Sequence, residues 1–321
     1  MTVGDDHTKS NLLSVAIGWV KQTPPYNLAR SIRRGGPKAH RTPAKWLRRP
    51  HIATGARVCI FLLLARGGHL MPHSVDHARA WHDAGFEVVA VVIVDSLAAA
   101  VDTGPLDFAN AVMLRENRGY DFGAWAAAIR RLGQSVRKYA MLVTANDSVF
   151  GPADSFPQML ERVDAMDADL IGLTESDENV YHYQSFVLFF KPLALRSPIF
   201  RQFWSNVRTG DRNYVIEHYE LKLQGEFAKA GLRTEPVYPL KGITTVNPTL
   251  DAWRNLLGIG FPYFKVQLLR ANQLDSSLDG WLALARKCRF DTGLLQQHIA
   301  ELQSADASRW ASDNYSAYGD S

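Results

Sequence analysis

Two phrases decide the fold: Glu116-Asn117-Arg118-Gly119-Tyr120-Asp121-Phe122-Gly123-Ala124-Trp125, and Met141-Leu142-Val143-Thr144-Ala145-Asn146-Asp147-Ser148-Val149-Phe150-Gly151-Pro152. In each, an apolar run stops and polar, glycine-bearing sequence begins. Such runs are buried strands, and the residues after them lie beyond the strands' carboxyl ends, where open α/β sheets place ligands. Gly119 can take a backbone angle denied to other residues, and Asp121 is a good N-cap for a helix over 122–132. A helix start with free N–H groups beside Arg118 suits a diphosphate. A well-made strand-to-helix turn accounts for the same residue types.

Outward from these phrases the pattern is regular. Residues 57–65 read as a buried strand closed by Arg66-Gly67-Gly68, 73–84 as a helix, and 86–94 as a second buried strand ending in Asp95-Ser96. Strands over 111–114 and 139–144 feed the two phrases. Beyond them, 156–166 reads as a helix, 169–173 as a strand ending in Thr174-Glu175-Ser176, and 183–190 as a further strand. Helices are expected over 198–207 and 215–230, the second stopped by Gly231, with an extended piece at 236–238 and two short helices within 247–270. This alternation implies an α/β fold: a Rossmann-type, mainly parallel sheet with right-handed crossovers, flanked by helices.

The chain has 321 residues, enough for one large α/β domain or two small ones, and its 46% hydrophobic content is ordinary for a globular protein. Cys59 and Cys288 suggest neither a disulfide framework nor a zinc ribbon. The charge is asymmetric: up to Ala56 there are ten Lys/Arg against Asp5 and Asp6, whereas the rest of the chain is mildly acidic. Three parts are therefore expected, a basic arm over 1–56, an α/β domain over 57–272 and a helical segment with a polar tail over 273–321. The arm includes Leu12 to Val20 as a short amphipathic helix and carries Trp46 and Leu47 among its charges. It suits an anionic membrane surface, and having no nucleic-acid motif it implies no nucleic-acid partner. The apolar run over 58–65 is strand-sized and that over 86–101 is interrupted by Glu87 and Asp95, so no transmembrane helix is expected. A cytoplasmic protein, peripheral on the inner face of the membrane, follows.

Several side chains could do chemistry. A carboxylate just past a buried strand, here Asp147, can hold Mg2+ or Mn2+ and through it a ligand's phosphates; a turn capped through Asn146 and Ser148 explains it as well. Glu175 and Asp177 follow a strand end, and Glu220 follows Tyr219 on a helix. Any of these acids could take a proton from a hydroxyl, and spacing alone separates none of them from a solvated surface acid. His69, His73, His77 and His82 contain an i, i+4 pair but no glutamate in a metalloprotease arrangement, so an exposed histidine-rich face is expected. His182 and Gln184 are polar groups entering an apolar strand pattern, which implies a buried partner or a sugar.

Beyond the two opening phrases, Gly172-Leu173-Thr174-Glu175-Ser176, His182-Tyr183-Gln184-Ser185-Phe186, Tyr219-Glu220, Asn247-Pro248-Thr249, Trp253 and Phe261-Pro262-Tyr263-Phe264-Lys265 follow in order. With these phrases the chain resembles the rhamnan synthesis protein F family of bacterial polysaccharide glycosyltransferases, over about residues 57–272. The resemblance implies a GT-A-like fold. It places Asn117 and Gly119, with Tyr120 and Asp121, beside the nucleotide of a nucleotide-sugar donor, and Asn146, Asp147 and Ser148 at its diphosphate. Asp147, five residues before Pro152, takes the second position of an Asp-x-Asp signature whose first position is Ala145, which bears on any Mg2+ or Mn2+ requirement. Glu220, eleven residues before Gly231, becomes the base for an inverting transfer, with Glu175, His182 and Gln184 as sugar or acceptor contacts. The implied donor is often a deoxyhexose such as dTDP-rhamnose, and the acceptor a growing glycan on a lipid carrier.

Two rivals stand beside this reading. A non-catalytic glycan-binding or scaffold subunit would keep the fold, and Ala145 favours it. A nucleotide-binding oxidoreductase is disfavoured, because Arg66-Gly67-Gly68-His69 lacks the spaced glycines that a dinucleotide needs.

Overall fold

The computed structural model describes residues 35–239, 247–270 and 276–304. The amphipathic stretch over 12–20 and the polar tail lie outside the described residues. In chain order come β1 (Ala44–Arg48), β2 (Arg57–Arg66), β3 (His69–Leu70), α1 (Pro72–Asp83), β4 (Glu87–Val94) and β5 (Ala111–Glu116). The two phrases then supply α2 (Tyr120–Leu132), β6 (Met141–Asn146) and β7 (Val149–Phe150). Next are α3 (Phe156–Ala165), β8 (Leu170–Gly172), β9 (Glu175–Ser176), β10 (His182–Tyr183), β11 (Val187–Phe190), α4 (Pro192–Arg196) and α5 (Pro198–Asn206). A short α6 (Arg212–Val215) leads through a π-helical turn, Ile216–Glu220, into α7 (Leu221–Lys229), followed by β12 (Thr234–Pro236). The C-terminal part holds α8 (Pro248–Asp251), α9 (Trp253–Gly258), β13 (Phe264–Lys265), α10 (Val266–Arg270), α11 (Trp281–Lys287) and α12 (Thr292–Ser304).

The sheet runs β1-β5-β4-β2-β6-β11-β8-β12, with β3 paired to β2 off this path. β2 lies between β4 and β6, parallel to both. It is covered on both faces, which is why it reads as an unbroken apolar run. Val58, Ile60 and Leu62 enter the core layer that holds Phe122 and Trp125 of α2, while Cys59, Phe61 and Leu63 enter the layer that holds Trp81 of α1 and Met159 of α3. β11 runs against both of its neighbours, and β1 runs against β5 at the edge. A smaller core, with Phe150, Trp253, Phe264 and Leu295, joins the C-terminal helices to the ribbon of β7 and β13.

Three expectations change. The arm does not extend to Ala56: a compact unit starts at Pro37, Ala39 is fully buried, and Lys45 and Arg48 donate to the carbonyls of Leu97 and Leu106. The strand expected over 183–190 is two strands, interrupted where Gln184 and Ser185 turn to partners outside the sheet. The single helix expected over 215–230 is broken by the π turn that ends at Glu220.

Candidate functional site

The loop after β5 is built on a buried arginine. Arg115 is inaccessible to solvent, and its guanidinium donates to the carbonyls of Glu116 and Arg118, folding the chain over itself. Burial, with Arg131 nearby, lowers its pKa to about 10. Gly123 is required by this packing, since a Cβ there would lie 2.9 Å from the Arg118 carbonyl oxygen. Gly119 (φ 77°) and Tyr120 (φ 51°) are both left-handed, so the chain enters α2 through a tight reversal that Gly119 tolerates and Tyr120 does not favour. Gly119, not Asp121, is the N-cap residue. Asp121 stands in the first turn, free to point elsewhere.

It points at β6. Asn146 donates from Nδ2 to Asp121 Oδ2 at 2.7 Å, and its Oδ1 accepts from the backbone N–H and the hydroxyl of Ser148 at 3.1 and 2.7 Å. The two phrases therefore meet side chain to side chain at the carboxyl ends of β5 and β6. The ribbon of β7 and β13 then brings Lys265 opposite Val149, and Lys265 Nζ lies 3.3 Å from Ser148 Oγ and 5.2 Å from the centre of the Phe186 ring. Burial lowers the Lys265 pKa to about 8 although the Glu220 and Asp121 carboxylates pull it upward. Asn117 is exposed at the rim, its N–H bonded to the Val94 carbonyl.

Glu220 reaches the same place from the other half of the chain. Its Oε1 accepts from the Ser185 N–H at 3.0 Å and the Ser185 hydroxyl at 2.9 Å. Oε2 has no hydrogen-bond partner among the described residues. The π turn before it gives the chain the local distortion common at functional sites. Tyr219 anchors this turn by accepting from the Arg208 N–H at 2.7 Å, and Thr209 packs on Gly119. Arg212 follows, beside Tyr120, with Nη1 buried and unpartnered. His182 donates from Nδ1 to the Val180 carbonyl at 2.8 Å, near Glu178, whose pKa is raised by burial and by the Glu220 carboxylate.

Two expected contacts lie elsewhere. Cross-strand pairing sets Glu175 opposite Tyr183 and Ser176 opposite His182, so Glu175 stands on the other face of the ribbon from His182. Its Oε2 accepts from the Tyr181 hydroxyl at 2.7 Å. Gln184 is buried, and it accepts from Thr174 Oγ1 and donates to Asn247 Oδ1, both at 2.8 Å, and to Thr249 Oγ1 at 3.2 Å. It ties β10 to the Asn247-Pro248-Thr249 segment rather than offering an open amide.

Asp147 also turns away. Its Oδ2 accepts from the Leu64 N–H at 3.0 Å and the Ser74 hydroxyl at 3.1 Å, joining β6 to β2 and α1, and burial raises its pKa. A divalent cation shared with a diphosphate needs at least one carboxylate aimed at it. Asp147 gives one oxygen, Oδ2, to the scaffold, Ala145 supplies no side-chain oxygen, and no group of three His, Cys, Asp or Glu among the described residues could hold a metal ion. The Asp-x-Asp position thus offers a divalent cation no more than one carboxylate oxygen.

The histidines correct a second expectation. His73 and His77 are buried, not exposed, and pack against Phe150, Phe61 and Tyr263, with His298 beside His73. A separate cavity of about 480 Å³, lined by Ile129, Arg137, Phe200 and Trp204, lies by the far end of α2 and takes no part in the site. The sequence pattern assigned no role to Arg115 or Arg212, and its quoted phrases hold Ser185 and Lys265 without one. A lone lysine in the aromatic run Phe261-Pro262-Tyr263-Phe264-Lys265 was the available signal.

A family model described as rhamnan synthesis protein F matches residues 89–317. The chain belongs to that family. It is 29% identical over 192 residues to virulence protein VirA of Vibrio anguillarum, covering 49% of this chain and 62% of that protein. Over 166 residues it is 24% identical to the uncharacterized protein y4gN of Sinorhizobium fredii, covering 47% of this chain and 43% of that one. The match thus spans less than two thirds of either relative. Among solved structures it is similar to one classed as a nucleotide-diphospho-sugar transferase from Desulfovibrio desulfuricans G20, at 11% identity and a TM-score of 0.36, covering 74% of this chain and 100% of that one. The bifunctional glycosyltransferase WbbM is similar at 11% identity and a TM-score of 0.32, covering 59% and 40%.

Proposed function

We propose that this protein is an inverting, GT-A-like glycosyltransferase that moves a sugar from a nucleotide donor to a growing cell-surface polysaccharide. Membership of the rhamnan synthesis protein F family supports polysaccharide synthesis. The observation that carries the reading is the convergence of Asp121, Asn146, Ser148, Lys265 and Glu220 beyond the carboxyl ends of the strands. Asn117, Gly119, Tyr120 and Asp121 line the nucleotide side, Asn146 and Ser148 the diphosphate, and His182 the sugar or acceptor.

In this reading Glu220 is the base. Ser185 fixes one carboxylate oxygen and leaves the other for the acceptor hydroxyl. The acceptor oxygen attacks the anomeric carbon from the face opposite the diphosphate. Its proton passes to Glu220, the bond from anomeric carbon to phosphate oxygen breaks, and the nucleoside diphosphate leaves with the electron pair. No step runs through a metal. Rhamnose is the proposed sugar and a lipid-linked glycan the proposed acceptor, with the protein on the cytoplasmic face of the membrane. No helix among the described residues is long and apolar enough to cross a membrane.

Calorimetric titration with dTDP-rhamnose and with UDP- and GDP-sugars tests the reading. Tight binding of one donor, with transfer of its sugar to a glycan acceptor, is expected. Binding of glycan without binding of any donor would contradict it and support the scaffold reading.

A further inference from the structure

The departing nucleoside diphosphate gains negative charge as the glycosidic bond breaks, and something must balance it. The Asp-x-Asp position is poorly furnished for a metal: Ala145 has no side-chain oxygen, and one oxygen of Asp147 bonds Leu64 and Ser74. Two cations stand at the other side of the same strand end. Lys265 is set by the ribbon register, its Nζ on Ser148 Oγ and over the Phe186 ring. Arg212 follows the loop that packs on Gly119, adjoins Tyr120, and buries Nη1 without a partner. Neither forms an ion pair with a carboxylate among the described residues, whereas the carboxylates nearby have their own donors: Asn146 for Asp121 and Ser185 for Glu220. A buried guanidinium nitrogen with nothing to bond is costly, and a phosphate oxygen satisfies it.

We infer that Lys265 and Arg212, in place of a divalent cation, grip the donor's diphosphate and neutralise the charge it acquires on leaving. The assignment rests on the glycosyltransferase reading and deepens it. Ser148 sets the position of the ammonium, and the Asn146 amide holds both Ser148 and Asp121, so the diphosphate pocket and the nucleotide loop form one hydrogen-bonded unit. Asp121 and Glu220 favour the protonated form of Lys265, and Arg212 opposes it. Since Lys265 titrates near 8, diphosphate affinity falls as pH rises through that value.

The test is titration of the full chain with UDP and with dTDP, first in EDTA and then with Mn2+, beside the matching monophosphates. One nucleoside diphosphate binds equally in EDTA and in Mn2+. Lys265→Met and Arg212→Gln each weaken it roughly tenfold or more, and weaken the monophosphate less. Lys265→Arg, a variant that keeps the charge, retains binding and loses the fall near pH 8, a result that a purely structural lysine would not give. Binding that requires Mn2+, or that survives both neutral substitutions, overturns the cation pair and leaves the transferase reading standing. Failure of every nucleotide to bind under either condition overturns both.

Discussion

Asn146 and Asp147 are neighbours in sequence and belong to different regions of the molecule. Asn146 joins a polar network with Asp121, Ser148 and, through Ser148, Lys265. Asp147 joins a closed region: its Oδ2 is held by Leu64 and Ser74, next to His73, His77 and His298 packed among aromatic rings. Both regions are rich in residues that can bind ligands. They differ in charge: the first keeps ionised groups together, the second buries neutral rings. In the first, among charged groups, Glu220 keeps one oxygen and Arg212 one nitrogen without a partner; in the second the ring nitrogens of His77 and His298 also lack partners among the described residues, but burial among aromatic rings holds these imidazoles neutral. The capacity to bind a charged ligand follows from charge kept beside unspent hydrogen bonds, not from residue type.

The largest expected difference between the two regions is their response to acid. Burial pushes the pKa of His77 to about 3 and of His298 to about 4, and lowers that of His73. The unfolded chain therefore binds more protons below pH 6.5, and these histidines take stability away as pH falls from there. At pH 5 the loss from His77 alone is about 2 kcal/mol. The raised carboxyls of Asp147 and Asp76 oppose this trend, and Arg66 reinforces it at His73 and His298. Urea midpoints at pH 7 and pH 5 measure the net slope, and His77→Leu is expected to flatten it. An unchanged slope in that variant would break the assignment of His77 to a neutral core.

Asp147→Ala comes next. It strands the Leu64 N–H and the Ser74 hydroxyl, at a cost of about 1–3 kcal/mol, and leaves donor affinity unchanged in the folded protein. Asn146→Ala is the mirror experiment. It is expected to lower donor affinity about tenfold, because Asp121 and Ser148 lose their common partner, with a smaller change in the urea midpoint. The two variants thus exchange readouts, one in stability and one in binding. Glu175→Gln is the smallest change, altering transfer by no more than about twofold, as expected for a side chain outside the site.

Much of this fold was legible because β2, β4 and β6 are buried on both faces and each ends abruptly in polar sequence. The strand-to-helix turn at Gly119 was legible for the same reason. Asp121 was recognised by type and given the wrong bond: with Gly119 and Tyr120 both left-handed, the helix starts too soon for Asp121 to cap it, with Gly119 as its N-cap residue. The i, i+4 histidines fix one face of α1, but only the packing of Phe61, Phe150 and Tyr263 makes that face an interior one. Long-range side-chain pairs were not legible at all. Ser185 with Glu220, and Ser148 with Lys265, are separated by tens of residues and meet only because β11 and β13 return beside β6 and β7.

The central claim is that Glu220 takes the acceptor's proton, and the most direct measurement is single-turnover transfer by Glu220→Gln alongside donor titration. The amide can still accept from Ser185, so the fold and the pocket are kept. Glu220→Gln is expected to lower the rate by about 10²–10⁴-fold with donor affinity within about twofold of the unmodified protein. Transfer at an undiminished rate, or loss of donor binding in a folded variant, would contradict it.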